Sequence, residues 1–219
     1  MNKNNYILEI KDLTVKFANK IIVDKFSLKL KEGEKLILTG HSGCGKSTII
    51  KAILGFIPIE SGKIYINSEK LTEKNCWELR HNFGYVSQAP FTGFGTAHDF
   101  LMAPFSFKAN REKNCSLEKI HKLMKLFNLQ NDLLQKNVDK LSGGEKQRFA
   151  IVGTLLLEKK FLLLDEPTAA LDKRNRKVFE NFLAEKSNLT AIMITHDENS
   201  INNASQIINM TGGVKNVSN

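Results

Sequence analysis

A glycine-rich segment of the chain lies between an apolar strand pattern and a helical pattern. It fits G-x-x-x-x-G-K-[ST] and consists of Gly40, His41, Ser42, Gly43, Cys44, Gly45, Lys46, Ser47 and Thr48. Glycines let the backbone curl so that successive N–H groups face phosphate oxygens, and the helix start adds its positive dipole end. Lys46 would bring a cation to the β and γ phosphates, and the Ser47 hydroxyl would ligate Mg²⁺. The segment therefore predicts a phosphate-binding loop for a nucleoside triphosphate.

Two other interpretations of this loop are weaker. A glycine turn that carries a surface lysine would have a similar composition, but the strand before the loop and the helix after it argue against such a turn. Cys44 lies inside the loop, and we interpret it as a small residue that fits there. Redox regulation at the Cys44 thiol is the alternative interpretation of that residue.

Two adjacent carboxylates, Asp165 and Glu166, follow a second apolar strand pattern over residues 161–164. Open α/β sheets bind ligands at the carboxyl ends of their strands, which is where Asp165 would lie. Asp165 would hold the Mg²⁺ shell through water, and Glu166 is suited to orient or deprotonate an attacking water. A lone Asp-Glu pair would more simply cap the next helix. Because a phosphate-binding loop is present in the same chain, the two motifs together indicate a nucleoside triphosphatase.

Short apolar strand patterns alternate with helical patterns along much of the chain, which predicts an α/β fold. Strands are expected at 35–39, 62–66, 83–87, 161–164, 191–195 and 206–210, and helices at 47–55, 145–157, 173–186 and 198–204. Helices between buried strands imply a parallel sheet that is covered on both faces. Alternation with period two predicts antiparallel strands at 6–10, 13–17 and 26–30.

The segment between the two motifs has a mainly helical pattern. Ser116 is expected to cap a helix whose apolar face contains Ile120, Leu123, Met124 and Phe127. No repeat or low-complexity linker interrupts the chain. We therefore expect a single domain over residues 1–219, with a helical subdomain inserted at 89–157.

The composition excludes several classes of protein. Hydrophobic residues make up 42% and charged residues 25%, which excludes collagen-like and wholly disordered chains. Three scattered cysteines without CxxC spacing argue for a reducing compartment and against a zinc site. The net charge of +9 is spread without an arginine-rich block, so we expect no nucleic-acid partner. We also expect no signal peptide and no membrane span, because no apolar run is long enough.

The segment Leu141–Arg148 distinguishes among the classes of nucleoside triphosphatase. Its residues Ser142, Gly143, Gly144 and Glu145 closely resemble the LSGGQ-type signature of ATP-binding cassette (ABC) ATPases, with Glu145 at the place of the commonest Gln. Ser142 is a helix N-cap residue, and the glycines leave backbone N–H groups unobstructed, which makes a second anion site. In the family this signature closes over the γ-phosphate that the loop of another subunit binds. The resemblance therefore implies a dimer with two nucleotides at its interface.

The other motifs of the family follow in the family's order. Gln88 matches the Q-loop glutamine, which reaches Mg²⁺ and links the core to the helical insert. His196 matches the switch histidine that contacts the γ-phosphate, and Phe17 lies where an aromatic ring stacks on adenine. The segment 169–172 matches the D-loop, with alanine where serine is usual. The resemblance covers about residues 6–210 and implies ATP and Mg²⁺ as ligands.

The resemblance also implies an architecture and a cellular role. The fold would be a P-loop, RecA-like core with an N-terminal antiparallel β subdomain and an inserted α-helical subdomain. The chain would be a cytoplasmic ATP-hydrolysing subunit, held at the inner face of the membrane by a separate integral-membrane permease. That permease would dock beside the Q-loop, where aromatic residues are frequent over 90–107. The loop residues 43–45 and the segment 87–105 resemble the iron-export class of these transporters, although Phe105 stands where tryptophan is expected. The ATPases of lipoprotein release and antimicrobial-peptide export are also similar in size.

Proteins of other classes would share part of these motifs. ABC proteins of translation carry two cassettes in one chain, and those of DNA repair carry a long coiled coil, so the single cassette and short insert argue against both. A P-loop kinase would explain the phosphate-binding loop but neither the signature nor His196. A non-hydrolysing scaffold is disfavoured by Glu166.

Overall fold

The computed structural model describes residues 6–89, 95–113, 115–197, 200, 204–211 and 214–218. The strands are β1 (Tyr6–Phe17), β2 (Lys20–Lys31), β3 (Lys35–Gly40), β4 (Ser61–Ile66), β5 (Glu69–Lys70), β6 (Phe83–Val86), β7 (Phe161–Asp165), β8 (Thr190–Ile194), β9 (Gln206–Thr211) and β10 (Val214–Ser218). The helices are α1 (Lys46–Ile53), α2 (Cys76–Arg80), α3 (Ala97–Ser106), α4 (Leu117–Leu126), α5 (Gly143–Leu156) and α6 (Lys173–Glu185). Short 3-10 turns span Lys108–Asn110, Asn131–Gln135 and Val138–Lys140.

A six-stranded sheet in the order β10-β9-β3-β8-β7-β6 forms the centre of the fold. Neighbouring strands are parallel except for β9 and β10, which are antiparallel. All residues of β7 and β8 are buried, because both faces of the sheet are covered, as the continuous apolar runs predict. The carboxyl ends of β3, β8, β7 and β6 therefore lie side by side at one edge of the sheet.

A second sheet, in the order β2-β1-β4-β5, contains the N-terminal strands. The two strands predicted at 6–10 and 13–17 are one continuous strand, β1, with a register shift between Ile10 and Leu13. At this irregularity Asp12 has φ 46°, and its N–H donates to Ser27 Oγ at 2.9 Å. The bulge turns Leu13 back toward the core without ending the pairing, which is why the sequence pattern appears interrupted there.

Two clusters of buried side chains hold the fold together. One joins the antiparallel sheet, α1 and one face of the parallel sheet, with Phe26 and Ile50 among its members. The other joins the opposite face of the parallel sheet to α3–α6, and Phe127, Phe149 and Phe179 belong to it. The mixed α/β class is thus confirmed, while the subdivision at 89–157 stays a prediction.

The predicted helices of the insert form, with short irregular connections. Ser116 Oγ accepts a hydrogen bond from the Lys119 N–H, so Ser116 caps α4 as expected. The side chains of Ile120 and Met124 in α4, and that of its C-cap residue Phe127, are buried. The helix expected at 198–204 falls largely outside the described residues. Among the described residues, no helix is both long and apolar enough to cross a bilayer.

Candidate active site

The phosphate-binding loop connects the end of β3 to the start of α1. Gly40, Gly43 and Gly45 all have positive φ angles, of 139°, 79° and 101°. A Cβ atom on Gly40 would lie 2.4 Å from the Met210 carbonyl oxygen of the neighbouring strand, so only glycine fits there. The predicted helix begins at Lys46, and the loop therefore wraps around its N-terminus.

The side chain of Lys46 lies inside the phosphate-binding loop. This side chain is buried, and Nζ donates hydrogen bonds of 2.9 Å to the carbonyl oxygens of Gly40 and His41. The Cys44 Sγ atom lies 3.7 Å from the same Nζ, and the Cys44 side chain is buried as well. The loop thus places the cation of Lys46 at its own centre, where a triphosphate would be bound.

Ser47 and Asp165 are brought together by the fold, although 118 residues separate them. Ser47 Oγ donates a 2.9 Å hydrogen bond to Asp165 Oδ1. Burial raises the pKa of Asp165, the Ser47 hydrogen bond opposes that rise, and the neighbouring Glu166 charge adds to it. A hydroxyl and a carboxylate side by side are hard oxygen ligands, which is the donor set that Mg²⁺ prefers. The residues therefore fit the predicted Mg²⁺ site.

Glu166 and His196 also meet at this edge of the sheet. Glu166 Oε1 lies 3.5 Å from His196 Nε2. Glu166 has φ 48°, a left-handed conformation that is uncommon for this residue type, and its N–H donates to the Ile194 carbonyl oxygen at 3.1 Å. This turn directs the Glu166 side chain toward the end of the adjacent strand β8, which His196 follows by two residues. The two residues line a cavity of about 290 Å³.

Two residues on the cavity wall were not singled out from the sequence. Arg176, on the first turns of α6, and Thr168 line the cavity together with Glu166 and His196. The Arg176 N–H donates to the carbonyl oxygen of Asp172, the N-cap residue of α6. Only the helical spacing from Asp172 signalled that Arg176 lies near the site, and that spacing is common to every helix.

Two further residues of the predicted site, Gln88 and Phe17, lie at the ends of strands that belong to different sheets. Val86 pairs with Leu164, so the chain leaves β6 beside Asp165, and the exposed Gln88 follows two residues later. Phe17 ends β1, and its side chain is 50% exposed, which leaves its ring accessible for stacking. The adjacent strands β6 and β7 thus bring Gln88 to the same sheet edge as the carboxylates.

The signature residues lie at the start of α5, in the helical part of the chain. Ser142 is the N-cap residue, and its Oγ accepts a hydrogen bond from the Glu145 N–H. Gly143 has open space where a Cβ atom would be, whereas a Cβ atom on Gly144 would be 3.1 Å from the Ala170 carbonyl oxygen. The signature is therefore presented on an exposed helix start that packs against the segment 169–172.

The buried carboxylate at residue 165 gives a testable consequence for stability. Because its folded-state pKa is raised above 3.8, the stability that Asp165 contributes is present at low pH and is lost as the pH rises through that pKa. Asp165→Asn keeps an acceptor for Ser47 and removes the charge. We expect its melting temperature at pH 7.5, without nucleotide, to exceed that of the unsubstituted chain by roughly 2–4 °C. Differential scanning fluorimetry measures this difference.

The pH dependence and a control variant distinguish the removal of the Asp165 charge from a general increase in melting temperature. The difference should shrink as the pH falls through the raised pKa of Asp165, and Asp24→Asn, at an exposed carboxylate, should leave the melting temperature unchanged at every pH. A lower melting temperature for Asp165→Asn at pH 7.5 would show that the charge of Asp165 stabilises the fold.

Comparisons with known proteins agree with these motifs. A family model described as "ABC transporter" matches residues 23–169. The energy-coupling factor transporter ATP-binding protein EcfA1 of Bacillus subtilis (strain 168) is 37% identical, over 98% of this chain and 78% of that protein. EcfA1 of Streptococcus pyogenes serotype M5 (strain Manfredo) is 34% identical, over 94% of this chain and 76% of that protein.

Two solved structures have the same fold. CbiO1 from Clostridium perfringens, described as part of the ABC transporter complex cbiONQ, aligns with a TM-score of 0.77 and 26% identity, over 97% of this chain and 87% of that chain. A bacterial Atm1-family ABC exporter with ATP bound aligns with a TM-score of 0.84 over 97% of this chain. This chain spans 38% of that exporter, and at 24% identity the likeness concerns the fold alone.

Proposed function

Because this chain belongs to the ABC transporter family, as an ATP-binding subunit whose ATP hydrolysis is coupled to transport, we propose that two copies close on two Mg-ATP molecules and drive a separate membrane permease. The observation that carries this proposal is the edge of the parallel sheet. Four adjacent strands end there with the phosphate-binding loop, His196, the Asp165–Glu166 pair and Gln88. Each of these is a group that phosphoryl transfer to water requires.

ATP binding would use the loop and the residues beside it. The Lys46 ammonium would exchange its two carbonyl partners for phosphate oxygens, and the N–H groups of 43–48 would donate to the same oxygens. The Phe17 ring would stack on the adenine base. Ser47, Asp165 and Gln88 would hold Mg²⁺, which when bound neutralises charge on the β and γ phosphates.

Hydrolysis would depend on Glu166 and His196. The Glu166 carboxylate would orient a water toward the γ-phosphorus and accept its proton. His196, whose Nε2 lies 3.5 Å from that carboxylate, would hold Glu166 in place and donate a hydrogen bond to the γ-phosphate. The positive φ of Glu166 fixes the direction of its side chain before the substrate arrives, which reduces the reorganisation that the reaction needs.

Closure of two copies would complete each site. Ser142, Gly143 and Gly144 of one copy would donate hydrogen bonds to the γ-phosphate that the loop of the other copy holds. The exposed helix start that carries them is suited to such an approach from outside. Hydrolysis would then reopen the dimer, and the Q-loop region together with the inserted helices at 89–157 would pass this movement to the permease.

The structure describes only part of the surface that the sequence suggested for the permease. Of the aromatic segment 90–107, residues 90–94 lie outside the described residues, and Phe100 and Phe105 pack against the helical core. An aromatic patch is exposed elsewhere and consists of Phe56, Trp77 and the Arg80 guanidinium between their rings. The guanidinium carbon lies 4.4 Å from the Phe56 ring centre and 4.6 Å from that of Trp77.

The aromatic patch contacts α1, the helix that follows the phosphate-binding loop. Arg80 Nε donates to the Leu54 carbonyl oxygen at 2.8 Å, at the C-terminal end of α1. The Phe56 ring also contacts Tyr85 of β6 edge-on, with ring centres 6.4 Å apart. Movement of α1 or β6 would therefore move the patch. We assign it to the permease, as a docking surface for a short helix with apolar side chains.

Replacement of Trp77 tests both the partner and the surface. Trp77 is 69% exposed, so Trp77→Ala should leave the fold intact but remove a central aromatic contact. We expect recovery of the membrane protein that co-purifies with the tagged chain to fall by at least about tenfold. Quantitative mass spectrometry of material from detergent-solubilised membranes measures the recovery.

A matched control is available outside the aromatic patch. Leu117→Ala changes another apolar side chain, 57% exposed at the start of α4, and should leave recovery unchanged. The melting temperature of Trp77→Ala should stay within about 2 °C of that of the unsubstituted chain. Equal loss from both variants would remove the aromatic patch from the proposal, and recovery of no membrane protein by the unsubstituted chain would refute the permease.

Two hypotheses about the type of transporter differ in their support. The iron-export resemblance depends on two short segments and is not confirmed by the relatives. The energy-coupling factor proteins match over 94–98% of this chain, so we favour a permease of the energy-coupling factor type, with the ATPase held by it at the inner face of the membrane. A role in translation or DNA repair is not favoured, because these relatives are transporter subunits.

A further inference from the structure

The start of α5 carries a negative charge that is fixed by a reciprocal pair of hydrogen bonds. The Ser142 N–H donates to Glu145 Oε2 at 2.7 Å, and the Glu145 N–H donates to Ser142 Oγ at 3.2 Å. This capping box satisfies two of the N–H groups that a helix start leaves without partners. A glutamine at residue 145 would make the same two bonds, because its amide oxygen is an equivalent acceptor.

The carboxylate of Glu145 is held in its charged form. Burial opposes ionisation, but the hydrogen bonds from Ser142 and the positive charges of Lys136 and Arg148 outweigh it and lower the pKa of Glu145. The charge belongs to the first turn of a helix, where the dipole favours an anion. The negative charge of Glu145 therefore reduces the electrostatic attraction of the helix start for another anion.

Only a narrow part of this helix start remains for such an anion. The capping box already uses the N–H groups of Ser142 and Glu145, and the space beside Gly144 is limited by the Ala170 carbonyl oxygen. Gly143 has open space where a Cβ atom would be. A phosphate of a second copy would approach at Ser142 and Gly143, one helical turn or less from the Glu145 carboxylate.

We infer that Glu145 weakens the closed pair of copies, since its charge repels the triphosphate that the signature must contact, while its hydrogen bonds keep the helix start ordered. The residue thus sets how much ATP is needed for closure and how readily the pair reopens. This inference depends on the proposed closure of two copies. Glu145 acts through the field at the signature and through the position of Ser142, so it is a positioning residue.

Glu145→Gln separates the charge from the capping box. We expect the ATP concentration for half-maximal dimer formation to fall about 3- to 10-fold at 50 mM salt, when one charge within about 10 Å is removed. The effect should shrink below about twofold at 0.5 M salt, because exposed charges are screened. Sedimentation velocity with Mg-ATP measures the dimer, with Glu166→Gln in every variant so that the ATP-bound form accumulates.

A matched control is Glu118→Gln, which removes a carboxylate from the first turn of α4 and should leave the half-maximal ATP concentration unchanged. Equal or weaker dimer formation by Glu145→Gln overturns the inference, and so does a gain that is independent of salt. Failure of the Glu166→Gln chain to form any ATP-dependent dimer would instead refute the proposed closure. The two failures are therefore distinguishable.

Discussion

Glu166→Gln is expected to bind Mg-ATP with nearly unchanged affinity and to hydrolyse it at least about 100-fold more slowly than the unsubstituted chain. The amide keeps the size and the hydrogen-bonding reach of the carboxylate but cannot accept the proton of the attacking water. Because hydrolysis reopens the proposed pair, the variant should accumulate as an ATP-bound dimer. Phosphate release measures the rate, and sedimentation velocity measures the dimer.

Glu185→Gln, at an exposed position near the end of the same helix as Arg176, is the control and should hydrolyse ATP at the normal rate. Near-normal hydrolysis by Glu166→Gln would assign the catalytic base to another group. Slow hydrolysis without an ATP-bound dimer would retain the role of Glu166 as base and contradict the two-copy closure.

Lys46→Ala is expected to lose ATP binding by about 10- to 100-fold, and measurable hydrolysis with it. The reason is the loss of a charge-assisted contact with the phosphates, of a kind that contributes about 1.5–3 kcal/mol. The carbonyl oxygens of Gly40 and His41 would also lose their donor, so the loop itself should become less ordered. Titration with a fluorescent ATP analogue measures the affinity.

Two further variants isolate the charge of Lys46. Lys46→Met keeps the aliphatic stem that fills the loop, and we expect it to lose affinity as Lys46→Ala does but to lower the melting temperature less than Lys46→Ala does. Lys63→Ala, at an exposed position on β4, should bind ATP normally. Unchanged affinity in Lys46→Met would show that the ammonium does not contact the phosphates.

The local features of the fold could be predicted because they depend on neighbouring residues. The capped helix α4, the capped helix α5 and the buried strand β7 follow from apolar spacing and from a serine before each helix. Features that depend on distant partners were missed or wrong. β5 and β10 exist through pairing with strands already in the sheet, and β1 is continuous because a bulge at Asp12 preserves its pairing.

The aromatic residues of the insert show the same limit. The sequence places Phe100, Phe105 and Phe107 in one aromatic run, but the first two pack against the core and only Phe107 is largely exposed. No pattern in the sequence indicated that Trp77 is exposed, although it is the most exposed of the large apolar side chains described. Which aromatic ring is buried depends on the packing of whole helices, and spacing within one segment does not determine it.

The sequence by itself determined the chemistry of this protein, because the phosphate-binding loop, the paired carboxylates and the signature each lie within a few consecutive residues. The tertiary structure decided which of these groups meet. Strand order places Ser47 against Asp165 across 118 residues and Glu166 beside His196, while it leaves the signature on a separate exposed helix start. Parallel strands align their carboxyl ends only once the sheet has formed, so this juxtaposition is a property of long-range pairing that no local pattern contains.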